Sequence, residues 1–352
     1  MREQKIVFAY PGVLETPTGG YGYDRRIIAG LQTRGWEVET VSLGTGFPFP
    51  SKETLANAGS ILGDVSDNSL VVVDGLAFGA MPQTAQKLSG KMHLIALVHH
   101  PLCQENGLSL EKATKLQASE NEALEYAEKV IVTSPATAQQ VNELFGIPKG
   151  QISTIFPGTD IPAPVDRKPS DIVKLLSVGT VVRRKGYDLL FKALSGIPVQ
   201  NWQLDIVGGI DVDPECHSSL FKMAEELKLS DQISFHGSVP EQVLSDFYRA
   251  ADIFVLASRY EGYGMAYTEA MAHGLPVIGS GAGAVEQTLA SGAALYCGVE
   301  DVDAVRTALH KLMSDPERRG YLADSARKAA RKFPSWQDAA VEFEHAVLGI
   351  VK

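Results

Sequence analysis

Short apolar runs rich in β-branched residues alternate with helical patterns from one end of this chain to the other, and that alternation admits few folds. It is the pattern of parallel sheets wrapped by helices. In the first half the strand runs read KIVFAY, VETVSL, SLVVVDG, HLIALVHH, KVIVTS and ISTIF, with helical spacing between them, as over Tyr23 to Arg34 and Glu111 to Glu128. In the second half KLLSVG, QLDIVGG, ISFHG, DIFVLAS, PVIGS and AALY play the same part. The 352 residues exceed the roughly 100 to 200 of one domain, so two Rossmann-like domains are expected. Phe156 to Ser170 holds four prolines and a charge cluster in place of any periodic pattern, and the junction is expected there. The expected division is 1–165, 166–334 and a final helix over 335–352, where Ala340, Phe343, Ala346 and Val347 have helical spacing. Spacing does not place that helix in the fold; it is expected to cross back to the first domain.

Composition excludes several classes of function. A formal charge of -10 argues against general adhesion to nucleic acid, and any anionic ligand needs local positive charge. Residues 1 to 160 hold 12 Lys and Arg against 17 Asp and Glu, so this half has no overall bias toward anionic lipid. Peripheral membrane contact through a local basic patch stays open. The opening MREQKIVFAYPG is too short an apolar run for a signal peptide and reads as a first strand. No stretch approaches the roughly 18 apolar residues of a spanning helix. Cys103, Cys216 and Cys297 are an odd number at long spacings, which fits a reducing, cytoplasmic compartment.

The segment SRYEGYGMAYTEAMAHGLPVIGS, Ser258 to Ser280, carries the most chemistry. It follows the strand run DIFVLA and leads through a glycine turn into a helix that begins near Met265. Such a helix start offers unpaired N–H groups and the positive end of the dipole to an anion such as a diphosphate. Gly262 and Gly264 allow close backbone approach. Glu261 in the turn and Glu269 in the first helical turn flank that anion site, where carboxylates repel phosphate unless they hold hydroxyls. Taken singly, Glu269 also reads as a residue the dipole favours, and Glu261 as a solvated loop charge.

This segment resembles the E-x7-E motif of the large retaining glycosyltransferase family 4, whose members have the GT-B fold. The resemblance implies an α/β chain of GT-B type, two Rossmann-like domains with an interdomain cleft, and transfer of a hexose from a nucleotide diphosphate sugar. It makes Glu261 a contact to the donor sugar and Glu269 a ribose contact. The amides from Gly262 and Tyr263 to Gly264, Met265 and Ala266 then line the diphosphate. Tyr263 and Met265 stand where the family more often has Phe and Leu.

Other residues extend the resemblance over nearly the whole chain. SVGTVVRRKG, Ser177 to Gly186, places Arg184 and Lys185 where the family sets cations on the leaving diphosphate, which offset its developing charge. Thr180 occupies the position of the usual Arg, and the sequence does not decide between Arg183 and Arg184 as its substitute. HGSVPEQVLSDFYRAAD matches a turn whose backbone at Ser238 and Val239 lies against the base, with Leu244 and Tyr248 read as core. Glu286 reads as a helix-start residue without chemistry. In the first half Gly19 and Gly20, between a strand and a helix, resemble the family's glycine loop. His99 matches the family histidine that contacts the transferring sugar, with His100 as its alternate. Ser134 reads as a helix N-cap before Pro135. Asp211 and Asp213 have DxD spacing, but no ligand pattern accompanies them beyond Glu215 and His217, and no metal or cofactor is expected.

The expectation is therefore a metal-independent, retaining hexosyltransferase. His99, Glu261, Lys185 and Arg184 are its catalytic candidates, and a saccharide, glycolipid or small molecule is its acceptor. With no obvious nucleophile pair, attack from the leaving-group face is preferred to a covalent intermediate, the diphosphate taking the acceptor proton. The alternatives are a nucleotide-sugar epimerase of GT-B fold and a non-catalytic sugar or nucleotide binder.

Overall fold

The computed structural model describes residues 4–105, 107–165, 170–289 and 292–350. The chain divides into two compact units, one of Met1–Gly158 with Pro334–Lys352 and the other of Thr159–Phe333. Residues 166–169, where the junction was expected to end, lie outside the described residues.

In the first unit the strands are β1 (Lys5–Tyr10), β2 (Glu37–Ser42), β3 (Leu70–Asp74), β4 (His93–Val98), β5 (Lys129–Val132) and β6 (Ile152–Thr154). They form one parallel sheet in the order β2-β1-β3-β4-β5-β6. Every residue of LVVVD in β3 is buried, as expected of a central parallel strand covered on both faces. The order reverses at β1, so the C-terminal ends of β1 and β3 frame a crevice in which α/β proteins place ligands.

The final helix, Trp336–Leu348, belongs to this unit. Ser335 and Asp338 close a capping box at its start. It lies against the helix Gly19–Thr33, and Gly30 is what lets it approach, because a Cβ there would sit 2.5 Å from that of Ala340. Glu344 accepts hydrogen bonds from Trp36 Nε1 at 2.8 Å and Arg34 Nε at 2.8 Å, which satisfies a buried carboxylate that would otherwise oppose the packing.

The second unit has β7 (Val173–Val178), β8 (Trp202–Val207), β9 (Ile233–Phe235), β10 (Ile253–Leu256), β12 (Val277–Gly279) and β14 (Ala294–Tyr296) in the order β14-β12-β10-β7-β8-β9. β11 (Tyr260–Glu261) and β13 (Ala282–Gly283) make a separate short parallel pair. Here the order reverses at β7, so the loops after β7 and β10 meet at the switch point. Both units are parallel-sheet α/β domains.

Two helix boundaries differ from the sequence expectation. The first helix starts at Gly19 and not at Tyr23, so Gly19 and Gly20 lie within its first turn and not in a loop before it. Thr18 caps it by accepting from Tyr21 N, and the poor helix propensity of glycine hid that turn. Glu269 is the fifth residue of the helix Met265–Ala272 and so lies just past its first turn.

Candidate functional site

The second unit brings Arg184, Lys185 and Glu261 together at its switch point. Gly186 has φ +65°, and a Cβ there would collide with the carbonyl of Ala257, so only glycine lets the loop after β7 lie on the end of β10. Arg259 clips the two loops. Its guanidinium donates to Arg183 O at 2.8 Å and to both oxygens of Asp188 at 2.8 Å, while its N–H reaches Arg184 O at 2.7 Å.

Within this frame Lys185 Nζ donates to Glu261 Oε1 at 2.7 Å. Arg184 donates to Glu261 Oε2 at 3.2 Å and to Tyr260 O at 2.9 Å. Ser258 Oγ adds a third donor, on Oε1. Glu261 is only 5% exposed, which overturns its reading as a solvated loop charge. Burial disfavours its ionised form, but the charges of Lys185 and Arg184, with the bonds from Lys185 and Ser258, hold its pKa down at about 2. Arg183 is exposed, so Arg184 is the arginine this geometry places beside Lys185.

Next to this cluster Gly264, at φ +93°, occupies the N-cap position of Met265–Ala272 without a side-chain hydrogen bond. The buried ring of Tyr267 lies where a Cβ on Gly264 would be, 2.6 Å away. Gly262, Tyr263, Gly264, Met265 and Ala266 are all partly exposed, so the helix start is accessible to an anion. On the helix, Glu269 Oε2 accepts from Tyr248 Oη at 2.8 Å. Tyr248 is core, as its spacing suggests, and its ring stacks on His273 at 4.7 Å. Its second role, holding Glu269, has no signal in the sequence. Ser238 and Val239 follow β9, and Gly209 after β8 comes close to the Ser238 hydroxyl, so these loops share one end of the sheet.

The first unit places His99 directly after β4, beside the end of β3. A Cβ on Gly20 would lie 3.2 Å from its Cδ2, whereas nothing lies within 4 Å of one on Gly19. His99 Nε2 is 3.1 Å from Asp24 Oδ1 and 3.4 Å from Asp74 Oδ2. Neither aspartate was a sequence candidate. Asp24 sits in a helix whose glycine-rich start obscured its register, and Asp74 looks like the polar end of an apolar strand. Among the described residues this is the one group of metal-type donors whose ligand atoms all lie within 4.8 Å, and its atoms already hydrogen-bond to one another. His100 turns instead to Glu105, at 3.2 Å.

The remaining motif residues have structural partners. Asp213 of the DxD sequence caps the helix Pro214–Glu226, accepting from Cys216 N at 3.0 Å. Ser134 caps the helix that begins at Pro135, and Glu286 is an exposed residue in the first turn of Val285–Leu289. No helix among the described residues is long and apolar enough to cross a membrane.

Two Rossmann-like α/β units in succession define a fold of the GT-B class. Residues 163–329, just under half of the chain, match the family described as Glycosyl transferases group 1. The mannosylfructose-phosphate synthase of Agrobacterium fabrum is 29% identical over 238 residues, 62% of this chain and 52% of that protein. The chain spans little more than half the length of that relative. Among solved structures, sucrose-phosphate synthase from Thermosynechococcus elongatus superposes with TM-score 0.83 at 22% identity, covering 99% of both chains. Anabaena HepE in complex with UDP and glucose superposes with TM-score 0.73 at 16% identity, covering 99% of this chain and 100% of that one.

Proposed function

We propose that the chain is a retaining, metal-independent hexosyltransferase that draws on a UDP- or GDP-hexose. The observation that carries this reading is the convergence of Arg184, Lys185 and the start of Met265–Ala272 on one edge of the second sheet. Two cations and a helix N-terminus address a diphosphate, the charge that grows as the sugar leaves. Glu269, held by Tyr248, takes the ribose hydroxyls. Glu261 Oε2 accepts from Arg184, and a second lone pair on it takes a sugar hydroxyl. The acceptor hydroxyl attacks C1 on the leaving-group face as the C1–O bond to the diphosphate breaks, and a phosphate oxygen takes the acceptor proton. This path needs no nucleophilic carboxylate, and Glu261, with both oxygens engaged, is poorly placed to be one.

The acceptor is a saccharide, glycolipid or small polyol bound at the first unit. The UDP and glucose bound to one structural neighbour and the sugar phosphate in the name of a relative support that class. Three free cysteines support a cytoplasmic location. The test is transfer from UDP- and GDP-hexoses to an acceptor panel in EDTA, with the anomeric configuration of the product read by NMR. Inversion, or full activity of both Glu261→Ala and Lys185→Ala, refutes the assignment.

A further inference from the structure

The chemistry assigned to the second unit leaves a buried charge cluster in the first unit unused. Asp24 and Asp74 are 0% and 3% exposed, and among the described residues neither pairs with a lysine or arginine. Two adjacent carboxylates in a dry site repel each other unless one takes a proton or positive charge lies between them, and burial pushes the Asp24 carboxyl up to about 6 although His99 pulls it down. The cation within reach is the ring of His99, whose Nε2 faces both, at 3.1 Å and 3.4 Å. Asp74 Oδ1 is separately held by Leu76 N at 2.8 Å, so Asp74 is fixed by the backbone. Tyr23 meets the imidazole edge-on at 5.6 Å, and Gly20 packs against its Cδ2 side. The ring is thus clamped, about one-fifth exposed, and its Nδ1 has no hydrogen bond among the described residues. The other ionisable groups near the cluster are Tyr21 and Tyr10. Burial, Asp74, Asp24 and Tyr10 keep the Tyr21 phenol neutral, and its hydroxyl donates to Pro11 O.

We propose that Asp24 and Asp74 are positioning residues that fix His99 as an imidazolium, with Nε2–H directed at the two acids and Nδ1–H presented to a substrate oxygen. Only the identity of that oxygen, one on the substrate bound at the first unit, rests on the function proposed above. A ring held protonated donates and never accepts, so His99 is not the base of the reaction. That agrees with a proton passing to the diphosphate. The electrostatics point the same way: burial alone would lower the imidazole pKa, but the charge and hydrogen bonds of Asp24 and Asp74 raise it far above its ordinary value.

The test needs no substrate. Long-range proton–nitrogen spectra of the full chain, labelled with 15N-histidine and assigned with His99→Gln, are expected to show both His99 nitrogens protonated from pH 5 to 8.5. In Asp24→Asn and Asp74→Asn the titration is expected to fall toward roughly 6.5. A wild-type His99 that titrates near 6.5, or a stoichiometric divalent metal on the purified chain, overturns the proposal whether or not sugar transfer is found. In the transfer assay, Asp24→Asn is expected to lose kcat tenfold or more between pH 6 and pH 8.5 while the wild type stays level. An equal loss at every pH means a structural role only and also overturns it. Should Asp24→Asn fail to fold, the wild-type spectrum and Asp74→Asn decide.

Discussion

Lys185 Nζ stands 2.7 Å from Oε1 of Glu261, across 76 residues of sequence, while Arg184 holds the other oxygen at 3.2 Å. Removing one cation leaves a buried carboxylate under-compensated, at a cost of about 1–3 kcal/mol with Arg184 still in place. Lys185→Met is therefore expected to lower the unfolding temperature by several degrees and to slow sugar transfer by about 100-fold or more. Lys185→Arg should recover most of the stability but not the rate, because a planar fork cannot replace a point charge. Calorimetry and initial rates check both.

The same pairing sets how stability depends on pH. The folded pKa of Glu261, about 2, lies below the roughly 4.3 of an unfolded glutamate. Its contribution, about 3 kcal/mol, is therefore complete above pH 5 and is lost as the pH falls toward 2. Glu261→Gln is expected to be less stable than wild type at pH 7, with the gap narrowed by about half at pH 3. Urea unfolding at both values measures it, and a gap that does not change would mean that Glu261 is not ionised against its two cations.

Tyr248 separates positioning from chemistry. Its hydroxyl holds Glu269 Oε2 at 2.8 Å, and Glu269 is assigned to the ribose. Tyr248→Phe keeps the stacked ring, so KM for the sugar nucleotide is expected to rise about 5- to 10-fold with kcat little changed, the loss of one charge-assisted hydrogen bond. A fall in kcat at constant KM would contradict the ribose role.

Gly19 and Gly20 are neighbours with opposite expectations. A methyl at Gly19 meets nothing within 4 Å, so Gly19→Ala should stabilise the first helix by up to about 1 kcal/mol and leave the rate unchanged. A methyl at Gly20 presses on Cδ2 and Nε2 of His99, so Gly20→Ala should fold as well yet lose about tenfold in rate. Thermal melts and kinetics of the two variants test the contrast.

Much of the fold was legible because strands and helices announce themselves locally. Each apolar run singled out in the sequence is a strand of one of the two sheets. The exception, Tyr260–Glu261 paired with Ala282–Gly283, has no apolar run to announce it. The first helix was read short because three glycines in its first four residues suppress the helical signal. The spacing of Glu261 and Glu269 and the run Arg183 to Lys185 were readable as chemistry for the same local reason.

Local pattern and motif spacing in the sequence alone established the α/β class, the helix start at Met265 and the candidate acids and cations. Only the tertiary structure decided that Arg184 rather than Arg183 faces Glu261, that Tyr248 holds Glu269, and that Asp24 and Asp74 clamp His99. Those contacts join residues tens of positions apart. The ion pairs among them exist because β7 lies beside β10 and β3 beside β4, and strand order is set by the packing of whole sheets, which no stretch of neighbouring residues encodes.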